Sequence, residues 1–172
     1  MQRDEYSPAA KVLHWMVVVL IAAQFAVAWS MPHIGRNTQP ETLINLHFSL
    51  GVAVLAVMLV RLVYRVAAGA PVTATLPALG MAARLTHWLL YTLLVVLPVL
   101  GWMNASWRGF PVALFGLELP KLMPTRLPGW NWTGDVHALL SNYVLLTLVI
   151  LHILAALYHH FVLRDRVLKS ML

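Results

Sequence analysis

Four long stretches of the chain lack Asp, Glu, Lys and Arg and consist mostly of apolar residues. These stretches cover residues 12–35, 42–60, 85–107 and 136–163. A helix needs about 20 apolar residues to cross a bilayer core of about 30 Å, and each stretch is close to that length or longer. The pattern therefore predicts a bundle of four transmembrane helices, roughly over residues 8–31, 43–66, 82–106 and 136–163.

Proline and glycine mark the boundaries of the predicted helices. Ser7 followed by Pro8 is typical of an N-cap and first helical position, and Pro32 with Gly35 predicts the end of the first helix. The uncharged segment 66–83 is interpreted as a connecting loop because it contains two glycines and two prolines, at Gly69, Pro71, Pro77 and Gly80. Within the third helix, Pro98 is expected to produce a kink.

The composition supports a single membrane domain over residues 1–172. Hydrophobic residues make up 60% of the chain and charged residues only 10%, whereas a soluble domain carries about 25% charged residues. A soluble enzyme, a disordered tail and a fibrous repeat are thereby excluded. The absence of cysteine excludes disulfides, thiolate zinc sites, iron–sulfur clusters and haem attached through C-x-x-C-H.

The basic residues lie at the ends of the apolar stretches, so the net charge of +6 does not indicate nucleic-acid binding. Eight lie at one end of the bundle: Arg3, Lys11, Arg61, Arg65, Arg84, Arg164, Arg166 and Lys169. Four lie at the other: Arg36, Arg108, Lys121 and Arg126. Because cytoplasmic loops are enriched in Lys and Arg, both termini are predicted in the cytoplasm of a bacterial cell with the protein in its inner membrane.

The first apolar stretch is predicted to be a retained helix rather than a signal peptide. The segment Ala26-Val27-Ala28 has the small residues of a cleavage site. However, the apolar run is longer than a signal core of about 7–15 residues, and Asp4 and Glu5 are not typical of a basic leader.

Histidines form two layers in the predicted bundle. On the outer side, His47 and His137 lie near the starts of the second and fourth helices. On the inner side lie four more helical histidines: His14, His87, His152 and His159. The 15 residues from His137 to His152 correspond to roughly 22 Å along a helix. The two remaining histidines, His33 and His160, are interpreted as residues of the membrane interface.

Two layers of imidazoles on facing helices are what two b-type haems with paired histidine ligands require. A proton relay or transporter site would also use intramembrane histidines, but it would normally add carboxylates, and none of the four apolar stretches contains one. Gly51 and Gly101 are small enough to admit the flat macrocycle, although close packing of helices explains them equally well.

Four motifs in this order resemble the prokaryotic cytochrome b561 family over essentially the whole chain. They are Ser7-x6-His14-Trp15, Leu46-His47-x3-Gly51, His87-Trp88-x2-Tyr91 leading to Leu97-Pro98-x2-Gly101, and His137…His152…His159-His160. The resemblance implies a four-helix membrane cytochrome that binds two haems b and exchanges electrons with quinone.

Carried over to this chain, the resemblance implies an outer haem between His47 and His137 and an inner haem between His14 and His152. The separation of 15 residues places His137 and His152 about 60° apart on an ideal helix. A local bend would remove this offset, or His159 would be the inner ligand instead. His87 is a rival inner ligand or a member of a quinone pocket.

The outer segment 104–134 combines aromatic residues with prolines and three basic residues. One interpretation is anchoring in the lipid headgroups; the other is a cap over the outer haem, in which Arg108, Lys121 and Arg126 attract a small anion. For small stand-alone members, the family resemblance implies oxidation of superoxide at the outer side with electron transfer to ubiquinone.

Two alternatives remain open. In the first alternative to superoxide oxidation, the chain is the haem b anchor subunit of a larger quinone-linked dehydrogenase or hydrogenase, although the sequence itself does not indicate a protein partner. The last alternative is a non-redox transporter or scaffold, which would be colourless.

Overall fold

Four helices in the computed structural model are long and apolar enough to cross a membrane. The structure describes residues 6–32, 34, 38–68 and 77–172. The first three helices are α1 (Pro8–Ser30), α2 (Thr42–Ala68) and α3 (Pro77–Arg108). We call the end of the bundle at which α1 begins the inner end and the opposite end the outer end.

The fourth span, Thr133–Leu163, is a continuous helix of changing pitch. It begins as α4 (Thr133–Leu139), continues as a π-helical segment over Leu140–Leu145, returns to the α form as α5 (Leu146–Tyr158) and ends in a second π-helical segment over His159–Leu163. Hydrogen bonds in a π-helix join residues five apart rather than four, so this segment changes which side chains share a face. A short 3₁₀ turn over Lys169–Met171 follows.

The predicted start of α1 is present in the structure. The Ser7 side chain accepts a hydrogen bond from the Ala10 N–H at 3.3 Å, and Pro8 occupies the first turn, where its missing N–H costs nothing. The Ser7 hydroxyl also lies 2.6 Å from the Tyr64 hydroxyl. This hydrogen bond joins the first turn of α1 to the inner end of α2.

The prediction of a loop over residues 66–83 is partly wrong. Helix α2 continues to Ala68, and α3 begins at Pro77, five residues before its predicted start at residue 82. Proline is tolerated in the first turn because no partner is required there for its missing N–H. Gly69 and Pro71 lie outside the described residues, as do His33 and Gly35 near the predicted end of α1.

The bundle core contains side chains from all four spans. Its buried cluster consists of Val17, Val54, Met58, Leu93, Leu94, Leu97 and Leu145. Many large apolar side chains on the helix faces that point away from the bundle core are exposed, for example Val19 at 65% and Val63 at 69%. Because a soluble protein would not leave four such faces uncovered, lipid is their partner.

The outer segment is shorter than the predicted 104–134 and contains a β-hairpin that the sequence analysis did not predict. Helix α3 extends to Arg108, and the fourth span begins at Thr133. Between them, β1 (Val112–Leu114) pairs antiparallel with β2 (Leu117–Leu119). The two-residue connection Phe115-Gly116 has φ of 48° and 98°, as a type I′ turn requires.

Candidate haem sites

The outer layer brings His47 of α2 against His137 of α4. Their ring centroids are 6.1 Å apart, and the ring planes cross at 84°. The Nδ1 of His137 donates a hydrogen bond to the Leu97 carbonyl oxygen at 2.9 Å. With its proton on Nδ1, His137 presents the lone pair of Nε2, which is the arrangement of a histidine that is ready to bind a metal.

Gly101 makes room for the His137 ring. A Cβ at this position would lie 3.1 Å from Cε1 of His137, so the ring would have to move by a few tenths of an ångström. A Cβ at Gly51 would lie 3.6 Å from Nε2 of Gln24, which is an ordinary van der Waals distance. In the structure, then, Gly101 accommodates an imidazole, whereas Gly51 faces an amide.

Gln24 is a member of the outer layer that the sequence analysis missed. Its side-chain nitrogen lies 3.3 Å from Nε2 of His47 and donates to the His47 carbonyl oxygen at 3.2 Å. Gln24 is the only amide side chain in α1. That isolated polar residue in an apolar helix was the available signal, because buried polar groups in a membrane need partners.

The inner layer contains three imidazoles. His152 of α5 lies 6.3 Å from His14 of α1 and 5.4 Å from His87 of α3, measured between ring centroids. The structure therefore brings together His152 and both of its predicted partners. Nearby, the Arg61 guanidinium donates to the Ala10 carbonyl oxygen at 3.2 Å and lies 5.7 Å from the centre of the Tyr91 ring.

The π-helical segment Leu140–Leu145 lies between His137 and His152. The wider hydrogen-bonded turn changes the offset expected for an uninterrupted α-helix. His137 faces His47 in the bundle interior, and His152 faces His14 and His87. Of the two alternatives that the spacing left open, a local irregularity in the helix is therefore present.

His159 takes part in a different contact. Its Nδ1 lies 2.5 Å from Oδ2 of Asp165, beyond a turn in which Arg164 adopts the left-handed conformation with φ of 53°. Burial raises the pKa of Asp165, but hydrogen bonds from His159 and the Val167 N–H and the charge of His159 lower it more, to below its ordinary value of 3.8. His160 is half-buried, with its ring against Phe161.

The three basic residues predicted to attract an anion lie in different surroundings. The Arg126 guanidinium lies 5.0 Å from the centre of the Trp107 ring, and the Lys121 ammonium donates to the Thr125 hydroxyl at 3.4 Å. Arg108 ends α3. At about 100° per residue, it shares a face with Gly101, the residue that contacts His137.

The hairpin does not cover the outer histidines. The Ser49 hydroxyl donates to the Ala113 carbonyl oxygen at 2.8 Å and accepts from the Phe115 N–H at 3.2 Å. Since side chains two residues apart on a helix point about 160° apart, the hairpin packs on the side of α2 away from His47. This contact does not place the hairpin over the His47 ring, and the interpretation of the outer segment as a cap stays a prediction.

The donor set fits haem b. Haem b, when bound, would be held by imidazoles that the protein supplies. Two imidazoles that share one metal ion through bonds of about 2 Å would have ring centres roughly 6 Å apart. The His47–His137 distance of 6.1 Å and the His14–His152 distance of 6.3 Å agree with this value.

Comparison with known proteins shows the family. The family model described as prokaryotic cytochrome b561 matches residues 5–172. A Yersinia pestis protein named "Probable superoxide oxidase CybB" is 31% identical over 98% of this chain and 96% of its own length. "Cytochrome b562" of Cereibacter sphaeroides is 30% identical over 99% and 97% of the two chains.

A third relative, "Cytochrome b561 homolog 2" of Escherichia coli K12, is 26% identical over 98% of this chain and 92% of its own length. These relatives match over nearly their whole lengths, as the family model does over this chain. The chain therefore belongs to the prokaryotic cytochrome b561 family of multi-pass membrane proteins, which transfer electrons through haem b.

Proposed function

We propose that this protein is a membrane cytochrome with two haems b that transfers electrons from superoxide at its outer end to ubiquinone in the membrane. The observation that carries the proposal is the pair of histidine layers, with His47–His137 toward the outer end and His152 with its neighbours toward the inner end. The name of the Yersinia relative supports superoxide as the donor.

The residues proposed to hold the outer haem are His47 and His137. For the inner haem we propose His14 and His152, because their separation of 6.3 Å is close to the 6.1 Å of the outer pair. His87 is the rival partner of His152. The contact of His159 with Asp165 favours His152 over His159 as the ligand. Haem b, when bound, supplies a one-electron carrier in each layer.

The protein residues provide the setting for this electron transfer. The Leu97 carbonyl oxygen orients the His137 ring, and the core cluster around Val54, Met58 and Leu94 excludes water between the two layers. Oxidation of two superoxide ions releases two molecules of dioxygen, and the two electrons with two protons convert ubiquinone to ubiquinol.

We propose that Arg108, Lys121 and Arg126 attract superoxide, with Arg108 making the largest contribution. Arg108 lies one and two helical turns beyond Asn104 and Gly101, on the face of α3 that contacts the start of the fourth span. A cation in this position acts locally on a small anion that approaches the outer haem. Lys121 and Arg126 are exposed and add to the positive field from the surface.

The proposed orientation in the bacterial inner membrane has both termini in the cytoplasm. The basic residues at the inner end of the described helices, among them Arg61, Arg65 and Arg84, support this orientation. A cysteine introduced in the hairpin at an exposed strand residue, Leu117→Cys, would then react with a membrane-impermeant maleimide from the periplasm. A cysteine at the C-terminus, Leu172→Cys, would react only after the membrane is opened.

The experiment that tests the function uses the purified protein with its bound haem. A pyridine-haemochrome assay is expected to give two haems b per chain, falling to one in His47→Ala and in His152→Ala. Superoxide generated by xanthine oxidase is then expected to reduce ubiquinone only when the protein is present. A protein without haem would overturn the redox proposal, and haem without superoxide-dependent quinone reduction would overturn superoxide as the donor.

A second candidate is an electron-relay subunit that receives electrons from a protein partner. The exposed side chains at the hairpin tip, Phe115 at 69% and Leu117 at 67%, favour this candidate because they form an apolar contact surface at the outer end. The same superoxide assay separates the two candidates, since a relay subunit purified alone would bind haem but would not turn over superoxide.

A further inference from the structure

We propose that Gln24 is a positioning residue for His47 and that it sets the reduction potential of the outer haem. In this role, the Gln24 side-chain oxygen accepts a hydrogen bond from Nδ1–H of His47 when Nε2 of that ring binds iron. The inference rests on the proposed outer haem site and concerns a residue to which the proposed function gives no role.

Gln24 reaches His47 across the contact between α1 and α2. Its side-chain nitrogen lies 3.3 Å from Nε2 of His47 and 3.2 Å from the carbonyl oxygen of the same residue. The amide packs beside Gly51, one turn after His47, where a Cβ would lie 3.6 Å from the amide nitrogen, an ordinary van der Waals distance. The amide is therefore held against one particular ligand.

Two atoms in this contact have no hydrogen-bond partner in the structure. They are Oε1 of Gln24 and Nδ1 of His47, and both are shielded from solvent. A buried polar atom without a partner is costly, and the bilayer core holds no water that would serve as one. Oε1 of Gln24 is an acceptor, and Nδ1 of His47 carries a proton whenever Nε2 of the same ring presents its lone pair.

Binding of Nε2 to iron would satisfy both atoms together. With the lone pair of Nε2 given to the metal, the neutral ring would keep its proton on Nδ1, and the Gln24 amide nitrogen would lose its acceptor. A rotation of the amide group would then offer Oε1 to Nδ1–H. A ligating histidine usually donates its other ring N–H in this way, which makes the ligand more basic.

The partner ligand already has this hydrogen bond. Nδ1 of His137 donates to the Leu97 carbonyl oxygen at 2.9 Å. With Gln24 as acceptor, both ligands of the outer haem would be oriented through Nδ1. More basic ligands stabilise ferric iron, so removal of the Gln24 acceptor is expected to raise the potential of this haem.

The test is potentiometric titration of purified protein with bound haem, comparing wild type with Gln24→Met and Gln24→Glu. Methionine fills the space without an amide oxygen, and we expect about a tenfold change in the reduction equilibrium, or about 59 mV, toward the ferrous form of the outer haem. Gln24→Glu keeps a carboxyl oxygen as acceptor. The potential of its outer haem is expected to equal the wild-type value or lie below it. The His152→Ala protein, which keeps the outer haem, identifies the outer wave.

Ser141→Ala is the matched control. The Ser141 hydroxyl donates to the backbone carbonyl oxygen of His137 at 2.8 Å, so this variant removes a hydrogen bond to a ligand residue without affecting its ring. We expect both potentials to stay at their wild-type values. The g-values of the ferric low-spin signal in electron paramagnetic resonance should change in Gln24→Met and not in Ser141→Ala.

The inference is overturned if Gln24→Met binds both haems and moves neither potential, or if Gln24→Met and Gln24→Glu raise the outer potential equally. If Gln24→Met fails to retain the outer haem, Gln24→Glu decides: a wild-type or lower potential supports the inference and a raised one overturns it. A wild-type protein without haem would instead contradict the proposed function.

Discussion

His137 donates its Nδ1 proton to the carbonyl oxygen of Leu97, 2.9 Å away. This hydrogen bond links the fourth span to α3 one residue before Pro98. It is paired with a close approach at Gly101, where a Cβ would lie 3.1 Å from the same ring. The orientation of the ring is therefore set by a hydrogen bond on one atom and by van der Waals contact on another.

Gly101→Ala is expected to weaken the outer haem site. Its methyl group would displace the His137 ring by a few tenths of an ångström, which tilts Nε2 away from its position and lowers haem retention by about twofold to tenfold on dilution or detergent washing. Haem per chain, from pyridine haemochrome after gel filtration, measures the effect.

Gly51→Ala is the matched comparison, because its methyl group would meet Gln24 at an ordinary 3.6 Å. We expect this variant to retain the outer haem. Loss of the outer haem in Gly51→Ala would show that Gly51 lies against the macrocycle, as one interpretation of the sequence has it. Full retention in Gly101→Ala would contradict the role of Gly101.

The inner ligand pair is distinguished by single alanine variants. His14→Ala and His152→Ala should each reduce haem content from about two per chain to about one, whereas His87→Ala should keep both. The physical reason is that the 6.3 Å separation of His14 and His152 suits two imidazoles that share an iron, whereas the 5.4 Å between His87 and His152 is shorter. Loss of a haem in His87→Ala, with two haems in His14→Ala, would make His87 the ligand.

Arg108→Gln should slow the reaction with superoxide by roughly threefold to tenfold at low ionic strength. Added salt should reduce the difference from wild type, because it screens the attraction between guanidinium and superoxide. Stopped-flow reduction of the haem at several salt concentrations measures this effect. Lys121→Gln serves as a comparison, with a smaller effect expected from an exposed ammonium that is hydrogen-bonded to Thr125; equal effects would contradict the greater role of Arg108.

The turn that follows the fourth span should open on acidification. The pKa of Asp165 lies below its ordinary value of 3.8 in the folded protein, so its contribution to stability is present above pH 3.8 and is lost as the pH falls through the folded pKa. Hydrogen exchange at the Val167 N–H, which donates to Oδ1 of Asp165 at 3.0 Å, reports this opening.

In Asp165→Asn, the same amide should exchange faster than in wild type near neutral pH. After correction for intrinsic exchange, its protection should no longer fall as the pH is lowered below 3.8. An unchanged acid dependence in this variant would assign the opening to another group.

The helices and the histidine layers were predictable because the bilayer imposes a minimum length on apolar segments. The start of α1 at Ser7 and Pro8 was predictable from backbone chemistry. The start of α3 was not, because Pro77 is compatible both with a loop and with a first helical turn, and local sequence does not distinguish them.

The hairpin and Gln24 were missed for different reasons. Each strand has only three residues, and the turn Phe115-Gly116 lacks the Asn-Gly or Asp-Gly pair that marks such turns in a sequence. Gln24 is one polar residue in an apolar helix, and its partner lies on another helix. Periodicity within α1 carries no information about that contact.

The distribution of histidines along the chain has a consequence for assembly during synthesis. Every imidazole–imidazole contact described above has one partner on the fourth span, either His137 or His152. A nascent chain in which only the first three helices have left the ribosome therefore contains one half of each pair. With the proposed ligand pairs, neither haem site would be complete until the last helix enters the bilayer, so one late event would complete both.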